Sequence, residues 1–164
     1  MTPMKRRTTA EAPGFSLSEA LVVIALLGIF TLFGGPAMAD AYRAYKVRST
    51  ADILATDLRA MRYAAVAMRT PRTMTLNTQS HSTAPNQYTF INARGQSVTR
   101  RLESGVNIDD ASDTTISYSI GGSTGTGTLS VLVSMDINSD RGDRFTVDVS
   151  PTGTVSTSFA YYTP

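Results

Sequence analysis

Apolar residues crowd the first quarter of the chain and thin into an alternating pattern after residue 71. Between residues 20 and 39 nothing is charged, and Leu21, Val22, Val23, Ile24, Leu26, Leu27, Ile29, Phe30, Leu32 and Phe33 cover every side of a helix. About 20 such residues make a helix of roughly 30 Å, the thickness of a bilayer's hydrocarbon core. Gly34-Gly35-Pro36 interrupts the run, and a kink or local melting is expected at Pro36. Beyond it the pattern narrows to a stripe. Leu54, Leu58, Met61, Ala65 and Met68 recur at alternating spacings of four and three, one apolar face of a helix, with Asp52 and Asp57 on other faces. Pro71 disfavours helix in the residue before it, so the helix should stop near Arg69-Thr70. The stripe predicts a spine on which a sheet lies.

From Pro71 the composition turns to Thr, Ser, Gly and β-branched residues. Short alternating runs predict seven strands, at 72–76, 87–91, 97–102, 115–120, 128–134, 144–149 and 154–159. Turn clusters separate them, among them Asn92-Ala93-Arg94-Gly95, the glycine-rich loop at 121–127, the stretch 138–142 and Pro151-Thr152-Gly153. A long helix followed by strands gives an α+β fold, with an antiparallel sheet wrapped on the C-terminal half of the helix.

Composition narrows the function classes. The chain has 164 residues and no cysteine, so neither disulfides nor thiolate metal sites brace it. Without its first 40 or so residues it still has enough chain for one small domain with its own core. The net charge is +2, and from Arg43 onward twelve Lys and Arg face ten Asp and Glu. This is no strongly basic nucleic-acid protein. Lys46 is the only lysine there, so positive charge is carried by arginine, which prefers bidentate carboxylate or phosphate partners. Arg48, Arg59, Arg62 and Arg69 fall on one flank of the helix. That flank is either a solvated face that also covers the sheet with its aliphatic stems, or a binding face for an acidic partner.

One acid stands out. Glu19 sits at the head of the apolar run, where a charged group in lipid needs a partner or a place at headgroup level. Lys5, Arg6 and Arg7 precede the run and would hold this end in the cytoplasm. A short basic leader, Gly14 directly before Phe15, and Glu19 four residues after that Phe resemble the prepilin signature of type IV pilins and pseudopilins. Pro36 falls where a helix-bending proline recurs in that family. The resemblance implies a peptidase cut between Gly14 and Phe15, methylation of the Phe15 amine, and pairing of Glu19 with the Phe15 amine of a neighbouring subunit. Such a pair would neutralise both charges inside a filament. The chain then divides into a leader (1–14), a transmembrane helix and filament core (15–39), an amphipathic helix (40–70) and an antiparallel β domain (71–164). The competing reading, an ordinary secretory signal peptide, lacks a clean small-x-small cleavage site, although Ala37-Met38-Ala39 comes near one.

The second half carries a narrower resemblance. The passage RAMRYAAVAMRTPRTMTL from Arg59, and the ending GGSTGTGTLSVLV followed by RFTVDVSPTGTV, are similar to the GspH/FimT group of minor pilins and pseudopilins. That group implies a structural tip or initiation subunit of a type II secretion pseudopilus or a type IV pilus. Its implied partners are other pilins through the N-terminal helix, the prepilin peptidase and the inner membrane, with the β domain periplasmic. Some pilus members bind DNA during natural transformation, through a Gly-Arg-x-Arg stretch at the final turn. Here that turn reads Gly153-Thr154-Val155-Ser156, with no base. Two lost phosphate contacts cost about one to two orders of magnitude in affinity at moderate salt. Arg59 and Arg62, or Arg100 and Arg101, are the residues left to substitute for that grip.

Other motifs fall short of a site. Asp136, Asn138 and Asp140 space their oxygens like the start of a calcium loop, but Gly142 comes one position late and no bidentate Glu follows. His81, the only histidine, sits in a Ser/Thr/Asn-rich loop with no acid cluster nearby. No nucleophile elbow, phosphate loop or paired carboxylates appear, so neither an enzyme nor a cofactor is expected. Phe159, Tyr161 and Tyr162 could stack on a partner or simply pack.

Overall fold

The structure, a computed structural model, describes residues 14–79, 84–125, 127–138 and 141–161. Side chains are described at all of these except 32–37, 136–138, 141–143 and 160–161. The predicted leader up to residue 13, His81, Asp140 and Tyr162 lie outside the described residues, as do the side chains of Pro36, Asp136 and Asn138. The chain divides into two units, Met1–Ala39 and Asp40–Pro164.

One helix, α1 (Leu17–Met68), contributes to both units. Its start is encoded by Ser16, whose Oγ accepts the Glu19 backbone N–H at 3.2 Å and so satisfies one of the four orphan donors of a helix N-terminus. Ser16 and Glu19 have the spacing of a capping box. The helix runs unbroken through 34–36, so the local melting anticipated there is absent. Thr31, the polar residue inside the apolar run, turns its hydroxyl onto the carbonyls of Leu27 and Gly28 at 3.0 and 2.9 Å.

In the second unit the apolar stripe is longer than the one read from the sequence. Leu54, Leu58, Met61 and Ala65 are buried as expected, and Val47 and Ala51 extend the buried face two turns earlier. Met68 departs from it and is exposed, because the helix ends at that residue. Arg69 takes a left-handed φ of 49°, its N–H reaches the Val66 carbonyl, and the Thr70 N–H reaches the Ala65 carbonyl. Those two bonds are a Schellman stop, placed on an arginine where glycine is usual.

Among the described residues eight strands follow: β1 (Arg72–Leu76), β2 (Gln87–Ile91), β3 (Ser97–Arg101), β4 (Asn107–Ala111), β5 (Thr115–Tyr118), β6 (Leu129–Asn138), β7 (Arg141–Val149) and β8 (Val155–Tyr161). They form two antiparallel four-stranded sheets rather than one, sheet A in the order β3-β2-β1-β5 and sheet B in the order β4-β6-β7-β8. β4 escaped the sequence reading because two acids in five residues and a bulge between Ile108 and Asp110 hide its alternation. The stretch 138–142 is largely strand too, with Asp136 opposite Gly142 and Asn138 opposite Arg141. The α+β class stands, and the inward positions of both sheets close one core with the stripe of α1. Met74, Tyr88, Ile116 and Tyr118 come from sheet A, and Ile108, Val131, Val133 and Val147 from sheet B.

Candidate functional site

Two regions carry the residues singled out above. The first is the start of α1. Gly14, Phe15 and Glu19 are all exposed, and Glu19 occupies the third helical position behind the Ser16 cap. A carboxylate there also faces the positive end of the helix dipole, which is a local role for Glu19 independent of any partner. The apolar side chains that follow have nothing over them: Leu17 is 85% exposed and Phe30 71%. Among the described residues no helix is long and apolar enough to cross a membrane.

The second region is the set of arginines. Arg59 donates from Nη2 to the Val155 carbonyl at 3.1 Å, and Arg62 donates from Nε to the Gly122 carbonyl at 3.0 Å. Arg59 therefore reaches the first residue of β8, beside the turn where the sequence lacks bases of its own, whereas Arg62 bonds the glycine-rich loop between β5 and β6, which packs against that turn. The contact is tight. Gly153 has φ +81°, and a Cβ there would lie 2.0 Å from the Gly122 oxygen and 2.9 Å from the Arg62 Nε. Only glycine fits, so helix, glycine-rich loop and final turn are keyed together. Beside this junction lies an open hollow of about 500 Å³ lined by Arg59, Arg62, Tyr63, Val66 and Val155.

Arg100 and Arg101 are elsewhere, on edge strand β3, beside a smaller hollow of about 300 Å³ that is also lined by Glu103. Arg100 is not free for a phosphate. Its Nε lies 2.9 Å from Oδ2 of Asp57, and the same oxygen accepts the Tyr88 hydroxyl at 2.6 Å. Asp57 is thus buried rather than on a solvent face, and it ties α1 to both β2 and β3. No local pattern signals this, because the partners lie far along the chain. Burial, then the bond to Asp57, raises the Tyr88 pKa well above the ordinary tyrosine value. Tyr118 is pushed up to about 12, mainly by burial, with Arg62 and Arg59 opposing the shift. Its hydroxyl is buried without a hydrogen-bond partner.

Arg72 is a basic residue that the sequence reading passed over. It opens β1 at an inward position, is buried, and donates from Nη2 to the Ala93 carbonyl at 3.3 Å. Asp136 and Asn138 lie on β6 within a β-hairpin. Among the described residues no three His, Cys, Asp or Glu side chains gather as metal ligands.

The architecture has a counterpart among solved structures. Two crystal structures of the type IV minor pilin FimU from Pseudomonas aeruginosa (strain PAO1) superpose with TM-scores of 0.53 and 0.50 at 13% identity. This chain shares the minor pilin fold. The alignments cover 70% and 68% of this chain and 89% and 91% of the FimU chains in those crystals. In sequence, no protein-family profile matches the chain and no curated protein is significantly similar to it. The likeness therefore lies in the helix and sheets, not in shared residues.

Proposed function

We propose that this chain is a minor pilin, a subunit that acts by entering a filament and touching its neighbours rather than by catalysis. One conjunction carries the reading. Along the chain, a domain with the fold of FimU follows a helical stretch from Leu17 to Phe30 whose large apolar side chains are exposed and which begins two residues after Phe15. Such a surface is stable only in a bilayer or among other apolar helices. On this reading the peptidase cuts after Gly14, the Phe15 amine is methylated, and Glu19 pairs with that amine on the next subunit. The helix is stored in the inner membrane, with the leader cytoplasmic and the β domain periplasmic, before it joins a type IV pilus or a secretion pseudopilus at or near the tip.

A DNA-uptake role has less support. The final turn carries no base of its own, and Arg100 is neutralised by Asp57. The test is co-expression of the full chain with a prepilin peptidase, followed by mass spectrometry of the N-terminus and assay of sheared filaments. The expected product begins at N-methylated Phe15. Gly14→Val should block cleavage, while Glu19→Ala should be cleaved yet missing from filaments. An uncleaved parent chain, or Glu19→Ala subunits assembling as well as the parent, would overturn the proposal.

A further inference from the structure

Sheets A and B end in four edge strands, and three are guarded against further pairing. β3 carries Arg100 and Arg101, β4 carries Asp109, Asp110 and a bulge, and β5 is four residues long. Charge, bulges and shortness are the means by which proteins stop a sheet edge from recruiting another strand. β8 has none of them. Its residues, Val155–Tyr161, are uncharged, include neither proline nor glycine, and pair with β7 without a register shift. Among the described residues no strand pairs with its outer edge.

That edge borders a cleft against α1. The Val155 carbonyl points away from β7, since it accepts from Arg59. Inward and outward backbone groups alternate along an antiparallel strand, so Thr157 turns its N–H and C=O the same way. Two hollows lie along the seam. One, of about 500 Å³, is the basic hollow at Arg59 and Arg62 described above. The other, of about 550 Å³, lies toward Phe159 and is lined by Ala44, Tyr45, Phe145 and Phe159. Both have the size of ordinary ligand sites. Arg48 also lines the second hollow, 4.0 Å from Asp52, so the cleft is basic at the Arg59 end and mainly aromatic and apolar, with one ion pair, at the other.

We infer that this cleft receives an extended segment of another polypeptide, added to sheet B as a fifth strand beside β8. The segment is apolar where it meets Phe145 and Tyr45, and acidic where it meets Arg59 and Arg62. Main-chain bonds supply the affinity of such strand addition, and pockets for the side chains supply the selectivity. A guanidinium has five N–H donors, and each of these arginines gives one to a carbonyl, which leaves donors for a carboxylate. A second copy's β8 does not match, because it brings no acid to the basic end. The inference goes beyond the filament reading and does not depend on it.

The experiment uses the full-length chain in detergent micelles and two fluorescent peptides, Phe-Thr-Val-Thr-Val-Asp-Asp and its twin ending in Lys-Lys. Fluorescence anisotropy should give the acidic peptide a Kd of about 10–100 μM and the twin one at least about tenfold weaker. Arg59→Glu should reverse that preference, a result that misfolding cannot produce. Thr157→Pro removes an outward N–H while sparing the β7 ladder, so it should weaken both peptides without changing the circular-dichroism melt. Equal binding of the twins, no binding below about 1 mM, or indifference to Thr157→Pro would overturn the inference. So would a chain dimer that the peptide dissociates, or displacement of the peptide by a thymine oligonucleotide.

Discussion

Residues 17–30 of α1 spread leucine, valine, isoleucine and phenylalanine around every side of the helix, and those side chains are exposed. Residues 47–65 of the same helix gather most of theirs into one stripe, smaller on average, and bury that stripe against residues of both sheets, leaving Ile53 and Tyr63 outside it. Helix propensity does not separate the two stretches, because tertiary packing decides what a helix does with its apolar surface. The first stretch needs its surroundings to be apolar on all sides. The second needs a fixed set of neighbours on one side, and its polar outer face is indifferent to the rest.

The comparison is sharpest when leucine is truncated in each stretch. Leu54→Ala should cost about 2–5 kcal/mol, since the side chain is fully buried and leaves a cavity. Leu26→Ala, half-exposed, should change the domain's stability by less than about 0.5 kcal/mol. Urea unfolding followed by tyrosine fluorescence reads both, as the chain has seven tyrosines and no tryptophan. Equal losses would break the distinction.

Gly153→Ala tests how far the buried stretch is keyed to the backbone around it. Its Cβ would meet the Gly122 oxygen, so a loss of about 2–4 kcal/mol is expected. Gly125→Ala is the control. It has the same sign of φ but open space around it, and should cost only about 1–2 kcal/mol. The difference between them isolates the contact from the backbone strain.

The smallest effect concerns Tyr118. Its folded-state pKa lies above the ordinary value of 10, so the stability it contributes is fully present below pH 10 and is lost as pH rises toward about 12. Tyr118→Phe should flatten part of that alkaline fall. At pH 7 it should shift stability by less than about 1 kcal/mol, because the hydroxyl removed has no hydrogen-bond partner. Denaturation curves at pH 7 and across pH 9 to 12 check both statements, and an unchanged alkaline limb would exclude Tyr118 as a contributor.

The helix and most strands were legible because their apolar periods, near 3.6 and 2, are local properties. What local pattern cannot carry is which strand neighbours which. A period of two says that Met74 and Val131 point inward, but not that they belong to different sheets. β4 was lost for a local reason, since Asp109 and Asp110 break its alternation. Asp57 falls off the apolar stripe, and its burial is invisible locally because its partners, Tyr88 and Arg100, come from strands the helix does not specify. Arg59 and Arg62 were picked as anion contacts from charge alone. Arg59 does reach the final turn and Arg62 lies beside it, but part of their donor capacity goes to the Val155 carbonyl and to Gly122 in the glycine-rich loop, which no side-chain pattern reveals.

The buried stripe also sets how the domain bears load. A pull along α1 applied ahead of Val47 acts parallel to the interface between helix and sheets. From Val47 to Ala65 the packed side chains span about 27 Å of helix. Force in that direction stresses all of them together, whereas a sideways force would peel them off one after another. The Asp57 ties to Tyr88 and Arg100, and the Arg62 bond to Gly122, cross the same interface at separate points along the helix. A domain held in this way yields under axial tension only when the whole row slips at once.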